Sequence, residues 1–554
     1  SDHIANNKIS NGQINDLRAN VRQTCTTMNN ALDDIGWRAF YPAYAVLTRH
    51  IDHKNDEVAR NIKIMMRKLI LRMPHQCMWQ SAYLLRQNIA GIKEKYMEVL
   101  ADVKRNAPCY VTIIDQYDYA SGIFNQISTK VDSSECRLSE RVEGMKILFR
   151  DKKYDAKELE MNRRLDGDCK VFNGIMVPIR SVIDESVHYP EYGGDNDAEK
   201  ACQLPDQYLI HDFSEHVKVL HSNTKPVLIE LTTMAGRKVR LICKKNDDLT
   251  KDYHFNKIVE MCNDLLMKDE QTKIQNMAAT TFSVIPLAKH GGIIEFIEGV
   301  TPYYDTLDTI MQLKQNEWSG KLSKWKDEMS KLKSRESRAE YFREVACKQT
   351  PIVMSKWFRI QYPEAGKWFA SRKQFAKSAA VMSIIGYIFG LGDRHTKNLM
   401  IHLQTGKCIH VDFDMIFNKG ETLGTPELVP FRLTQNMING MGEVALDGEF
   451  RTVCEQTLRV FRENSYEIEK YISDLPNLVA DFASNKMAPK DFDMTEAKRL
   501  VSGRIRGQIM TVKLHKSKAI TYPMQVSQLT SSLIDLATSD EKLCEMFPGW
   551  MPTL

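Results

Sequence analysis

An apolar run brought to a stop by two glycines constrains this chain more than any other feature. Ala380 to Phe389 reads AVMSIIGYIF, too short to span a membrane and long enough for a buried helix. Gly390 and Gly392 follow, and glycine tolerates the left-handed turn that ends a helix. The next residues, Asp393-Arg394-His395-Thr396-Lys397-Asn398, therefore sit on a loop fixed to the end of a rigid element. Leu399 to His402 reads as a strand, Gln404 to Lys407 as a turn, and Cys408 to Phe413 as the returning strand. Folding that hairpin about Thr405 predicts Asn398 opposite Asp412, with Cβ atoms roughly 4.5–5.5 Å apart. An amide oxygen and a carboxylate at that separation suit a hard cation.

The spacing agrees with phosphoryl transfer. Ordinary protein kinases carry H-R-D-x-x-x-x-N and a later D-F-G, in which the first Asp orients the nucleophile and the Asn and second Asp hold metal. Here Asp393 and Asn398 keep the Asp-to-Asn offset, the imidazole has moved to His395, and Asp412-Phe413-Asp414 replaces D-F-G. A surface loop with a helix-terminal histidine accounts for D-R-H alone. It does not account for G-L-G before it, Asn398 after it and H-V-D-F at hairpin distance.

Bulk properties set the frame. The 554 residues suggest about three or four domains. Lys and Arg total 76 against 71 Asp and Glu, a formal charge of +5, too mild to argue for direct nucleic-acid binding. Twelve cysteines without a C-x-x-C pair disfavour zinc and disulfide frameworks and fit a reducing compartment. No apolar stretch reaches about 18 residues, and the first ten residues lack a signal-peptide core. A soluble cytosolic or nuclear protein is expected, and the initial Ser1 suggests a fragment of something larger.

Along the chain, residues 1 to about 165 read as successive helices. Asn55 caps one that runs through Val58, Ile62, Met65 and Leu69 until Pro74. Gln76 to Gln87 and Ile89 to Arg105 continue the pattern, as in an α-solenoid. Val171 to Ile179, Val227 to Leu231 and Lys238 to Lys244 read as strands, with a loop over His188 to Asp206. From about 301 to 482 helices return. The charged stretch Leu313 to Arg343 reads as a solvated helix.

G-L-G-D-R-H-T-K-N-L, H-V-D-F-D and V-P-F-R-L-T-Q-N-M (Val429 to Met437) resemble the kinase core of the phosphatidylinositol 3-kinase-related protein kinases. The resemblance covers nearly the whole chain and is strongest over Trp368 to Gly442. It implies an α+β, bilobal kinase with a β-rich N-lobe and helical C-lobe, preceded by an α-solenoid segment. The implied boundaries are 1–167 for the C-terminal part of a FAT domain, 168–298 for the N-lobe and 299–482 for the C-lobe. A regulatory segment at 483–521 and a FATC domain at 522–554 follow.

The resemblance also implies roles. ATP and Mg2+ are the expected cofactors, with Mn2+ as an alternative ion. Lys244 would contact phosphates, with Asp252 as its organiser and Asp247 a weaker candidate. Thr232 to Gly236 would form the phosphate loop. Met234 stands where relatives carry a small hydroxyl residue, so Thr233 and the backbone at Gly236 become the contacts. Glu295, Phe296 and Ile297 would meet adenine at the hinge, Phe296 replacing a common Trp. Asp393 would orient the substrate hydroxyl, His395 would donate to phosphoryl oxygens, and Asn398 and Asp412 would hold metal. Arg394 would brace the loop through an acidic partner.

The activity implied is a serine/threonine protein kinase acting at Ser/Thr-Gln sites in DNA-damage and replication-stress checkpoint signalling in the nucleus. Alternatives are an ATM-like sister kinase, a phosphoinositide lipid kinase and an inactive scaffold. Met415 to Pro430 holds one Lys and two Glu, poorly suited to a polyanionic headgroup. Implied partners are protein substrates, a dedicated partner subunit and through it single-stranded DNA coated by RPA, and checkpoint activator proteins. A dimer of heterodimers and no membrane are expected. Val526, Leu529, Leu533 and Leu536 predict a C-terminal helix packed by apolar contacts.

Overall fold

Helical spacing and strand alternation follow one another along the chain, and the folded molecule keeps that order. The computed structural model describes all residues except 1–10, 35–36, 87–90, 108–109, 128–134, 138–174, 188–203, 215, 221–223, 246, 289, 313–314, 443, 445, 474, 476–493 and 510–521. The predicted loop at 188–206 and most of the regulatory segment therefore lie largely outside the described residues. Two compact units emerge: Ser1–Tyr253 with Phe282–Ile297, and His254–Thr281 with Glu298–Leu554.

The first unit opens with helices α1 (Asn11–Asp34), α2 (Asp56–Arg72), α3 (Pro74–Arg86), α4 (Ile92–Asn106) and α5 (Tyr110–Ile127). Asn55 caps α2 as expected, its Oδ1 accepting from Glu57 N at 3.0 Å and Val58 N at 3.2 Å. Pro74 ends α2 and opens α3, where its missing N–H costs nothing.

A seven-stranded antiparallel sheet follows. Its strands are β1 (Glu135–Arg137), β2 (Ile210–Phe213), β3 (His216–Val219), β4 (Val227–Thr233), β5 (Lys238–Lys245), β6 (Val284–Ala288) and β7 (Gly291–Glu295). The order is β1-β3-β4-β5-β7-β6, with β2 also paired to β4. In β5, Val239, Leu241 and Cys243 are buried and join one core with the helices. Helix and sheet meet through Trp79, whose Nε1 donates to Met176 O at 2.7 Å, and through the Phe124–Phe213 ring contact. The helical segment and the sheet therefore share a core.

Two expectations need correction. Within Val171 to Ile179 the described residues form only an isolated bridge, Met176 to Leu209, before helix α6 (Arg180–Val187). Val177 N instead donates to Tyr208 O. Strand β1 comes from the stretch read as purely helical.

The second unit contains most of α7 (Thr250–Lys268) and a small sheet of β8 (Val300–Pro302), β9 (Leu399–His402) and β10 (Cys408–His410). Its axis is α8 (Ala365–Phe389), almost wholly buried over its last half. Around it pack α9 (Gln435–Met441), α10 (Glu449–Glu463) and α11 (Met494–Ile505); α12 (Val526–Ala537) lies on α10. The charged stretch after residue 313 is not simply solvated. Helix Gln315–Ser330 buries Trp318, Leu322, Trp325 and Met329 at helical spacing, and Lys326 Nζ donates to Cys544 O at 3.2 Å. As expected, α12 buries Leu529 and Leu533; Val526 and Leu536 are half-buried. No described helix is long and apolar enough to cross a membrane.

Candidate active site

Helix α8 ends as its sequence dictates. Gly390 adopts φ +65°, and Leu391 N reaches back to Gly386 O at 2.8 Å, the six-to-one bond of a Schellman cap. A Cβ on Gly390 would meet Asn418, so glycine serves both the turn and the close approach. The loop that follows carries Asp393, His395 and Asn398.

Asn398 and Asp393 lie together. Asn398 Nδ2 donates to Asp393 O at 2.9 Å and approaches Asp393 Oδ2 at 3.3 Å. With its NH2 group directed at Asp393, the amide offers Oδ1 as a hard donor. The hairpin register differs by one residue from expectation. His410 pairs with Leu399, and Val411 N donates to Asn398 O at 3.1 Å, so Val411 rather than Asp412 stands opposite Asn398. The ladder ends at His410, and Asp412 takes φ +61°, a left-handed kink that period-two strand logic does not contain. Asp412 nonetheless lies within electrostatic reach of Asp393 and His395.

Burial pushes the Asp393 carboxyl above the usual range, with His395 and Arg394 opposing and Asp412 and Asp414 reinforcing it. Burial holds His395 below its usual value, which favours the neutral imidazole. His395 Nδ1 accepts from Lys397 N at 3.1 Å. The ring proton of neutral His395 is therefore on Nε2, which becomes a donor. Arg394 is buried and braces the loop mainly through carbonyls: Nε to Gly392 O at 2.7 Å, NH1 to Val411 O at 2.8 Å, and NH2 to Asp412 O. These bonds hold the backbone that the loop must order, and the Asp393 and Glu427 carboxyls lie within electrostatic reach of Arg394. Phe413 packs on Phe255 of α7 with ring centroids 4.6 Å apart. Asp414 faces Lys419 at 3.5 Å.

A metal fits the donor set of this loop. Asn398 Oδ1 and the Asp412 carboxylate are hard oxygen donors, few in number, which matches an ion that completes its shell with water and substrate phosphates. Among the described residues no group of three or more His, Cys, Asp or Glu forms a closed cage.

In the first unit, Lys244 leaves β5 with its Nζ 2.9 Å from Asp247 Oδ2. The second-ranked acid is thus a direct partner, and Asp252 is buried in the first turn of α7. Opposite Lys244 in the ladder is Gly292, so no side chain crowds it from that strand. Thr233 is wholly buried, and its Oγ1 accepts from Arg237 N at 3.0 Å. Its hydroxyl shapes the turn rather than standing open to a phosphate, a correction to the expected contact. Gly236 supplies the turn's positive φ, +83°, and its N–H donates to Thr233 O. Met234 is exposed at the tip.

Glu295 also has a structural engagement: its Oε2 accepts from Arg180 N and Ser283 N, both at 2.8 Å, and burial raises its pKa. Phe296 lies under the Arg240 guanidinium at 4.3 Å, and Ile297 is half-buried.

Two functional contacts escaped sequence reading. Glu427 accepts from Asp393 N at 2.7 Å. Arg432 donates to Arg394 O at 3.3 Å, Trp550 O at 2.6 Å, Met551 O at 2.7 Å and Leu554 O at 3.0 Å. An arginine within the apolar run V-P-F-R-L was the available signal for Arg432. Nothing local marked Glu427.

Comparison with known proteins agrees with this geometry. Residues 238–483 match the family model described as phosphatidylinositol 3- and 4-kinase, and 523–554 match the FATC domain. The chain is 74% identical over 555 residues to serine/threonine-protein kinase ATR of Caenorhabditis elegans, covering 100% of this chain and 22% of that protein. It thus spans about a fifth of that relative's length. Among solved structures, the FAT and kinase domain of CtTel1 superposes with a TM-score of 0.71 at 20% identity, covering 95% of this chain and 35% of that one. A complete CtTel1 dimer with C2 symmetry gives the same TM-score, 0.71, and identity, 20%, over 95% of this chain and 19% of that one.

Proposed function

Because the chain belongs to the phosphatidylinositol 3-kinase-related protein kinases, we propose that it transfers the γ-phosphoryl group of ATP to serine or threonine hydroxyls of proteins. The observation that carries this reading is the Asn398–Asp393 contact with Asp412 and a neutral His395 beside it. Asp393 accepts and orients the substrate hydroxyl, and its raised pKa suits it to take the proton as the oxygen attacks. His395 Nε2 donates to the phosphoryl oxygens, where negative charge grows. Asn398 Oδ1 and the Asp412 carboxylate hold Mg2+ or Mn2+. The ion, when bound, neutralises phosphate charge. Lys244, steadied by Asp247, is the phosphate contact in the first unit, with the buried Asp252 as its second candidate acid. Phe296 and Ile297 offer adenine an apolar face with Glu295 beside them, and Gly236 lets the turn backbone approach a phosphate.

The preferred substrate is Ser or Thr followed by Gln, within checkpoint signalling in the nucleus. The 74% identity to an ATR protein supports that branch over an ATM-like one. A lipid headgroup is disfavoured because Lys419, the one Lys of 415–430, faces Asp414. We assign 1–167 to the FAT domain, 168–298 and 299–482 to the kinase lobes, and 483–521 to regulation. The partners we assign are the ATR-interacting partner subunit, RPA-coated single-stranded DNA through it, and checkpoint activator proteins. Assembly as a dimer of heterodimers is part of the same proposal. Radiolabelled phosphate transfer to a Ser-Gln peptide tests the activity. Wild type should label the peptide and Asp412→Ala should not. Equal labelling by both would exclude the metal role and leave a scaffold.

A further inference from the structure

Glu427 lies 34 residues after Asp393, yet its Oε1 accepts the Asp393 backbone N–H at 2.7 Å. That N–H belongs to a residue with φ +57°, a conformation unfavourable for any side chain and stable only when surrounding bonds enforce it. The enforcing bonds form a set. Gly392 N donates to Met415 O at 2.7 Å, Arg394 Nε to Gly392 O at 2.7 Å, and Asn398 Nδ2 to Asp393 O at 2.9 Å. Of these, only the Glu427 bond holds the N–H of Asp393 itself. The carboxyl reaches it through a slot built for it. A Cβ on either Gly392 or Gly420 would lie 2.3 Å from Glu427 Oε2. Glu427 N in turn donates to Gly420 O at 3.0 Å, closing the segment on itself.

We infer that Glu427 is a positioning residue for phosphoryl transfer, which reaches between Gly392 and Gly420 to fix the Asp393 peptide and so couples the 415–430 segment to the catalytic carboxylate. This rests on the kinase reading above. It adds that the loop's active geometry is conditional. A displacement of the 415–430 segment that withdraws Glu427 releases the Asp393 N–H without touching any group that binds nucleotide or metal. The required chemistry is an acceptor of this length; a negative charge is not required, because an amide oxygen also accepts.

The experiment compares Glu427→Gln and Glu427→Met in the intact protein, with phosphate transfer to a Ser-Gln peptide. The two side chains have similar length, and only the amide accepts. Glu427→Gln should keep kcat within about threefold of wild type. Glu427→Met should lose at least about tenfold in kcat, with KM for ATP unchanged within about twofold. A general packing defect would lower both variants together, or would raise KM with the fall in kcat; either result overturns the inference, as does wild-type kcat in Glu427→Met. If Glu427→Met does not fold, Gly420→Ala carries the test by crowding the carboxylate out of its slot. It should give the same kcat loss, and wild-type kcat would overturn the inference. Asp412→Ala runs alongside. If it matches wild type, or if wild type transfers nothing, the kinase reading falls and this inference with it. If it is inactive while Glu427→Met is normal, this inference alone falls.

Discussion

Replacing Arg432 with Met should loosen the end of the chain and the loop before it. The guanidinium is buried, lies 4.4 Å over the Trp550 ring, and donates to carbonyls of Arg394, Trp550, Met551 and Leu554. Thr434 Oγ1 also donates to Leu554 O and Leu554 N to Met551 O, so the substitution orphans two acceptors, Arg394 O and Trp550 O. Each orphaned buried acceptor costs roughly 1–3 kcal/mol, about 4 kcal/mol together at the midpoint. Against this stands relief from burying a cation. Burial pulls the Arg432 pKa from 12.5 to about 10, which at 1.36 kcal/mol per unit is roughly 3 kcal/mol. The net loss is about 1 kcal/mol, or about fivefold in a local opening constant. Hydrogen exchange reads it directly. The amides of Trp550, Met551 and Leu554, bonded to Phe547, Pro548 and Met551 carbonyls, should exchange about fivefold faster in Arg432→Met. Exchange unchanged within about 1.5-fold would refute the assignment of Arg432 as the tie between the candidate loop and the FATC segment.

Other predictions concern pH and backbone space. Burial pushes Glu427 from 4.5 to about 7. Its folded pKa is raised, so its contribution to stability is full below about pH 4.5 and is lost as pH rises through about 7. Glu427→Gln should therefore melt higher than wild type at pH 8, by an amount equivalent to roughly 3 kcal/mol. The gap should close towards pH 4.5, and a pH-independent gap would contradict this. Gly292→Ala would place a Cβ 2.3 Å from Ile285 O. The β6–β7 pairing must shift, costing about 1–3 kcal/mol. Melting and exchange at Ile293 and Cys243 should both worsen, and unchanged values would contradict the close approach.

Much of the site was legible because its signals are local. The helix stop at Gly390, the cap at Asn55 and the alternation in β5 depend on residues within a turn or strand. Asp393, Asn398 and Asp412 could be grouped because the hairpin between them is short. The same reasoning misplaced Asp412 by one position, because it centred the hairpin on Thr405 whereas the ladder pairs His410 with Leu399, and the kink at φ +61° has no local signal. Glu427 and Arg432 could not be read, because their partners lie 34 and 118 to 122 residues away. The helix Gln315–Ser330 was misjudged for another reason. Its charge content outweighed a plain i, i+4, i+7, i+11 stripe of Trp318, Leu322, Trp325 and Met329.

A change of metal ligand offers the most direct measurement. Asp412→Cys replaces a hard oxygen donor with a soft sulfur, which binds Mg2+ poorly and Cd2+ well. Phosphate transfer to a Ser-Gln peptide should fall to background in Mg2+ and recover at least tenfold when Cd2+ is added. Asp393→Cys, altered at the orienting carboxylate, should stay inactive in both ions. Full activity of Asp412→Cys in Mg2+, or no recovery in Cd2+, would contradict a metal held at Asn398 and Asp412.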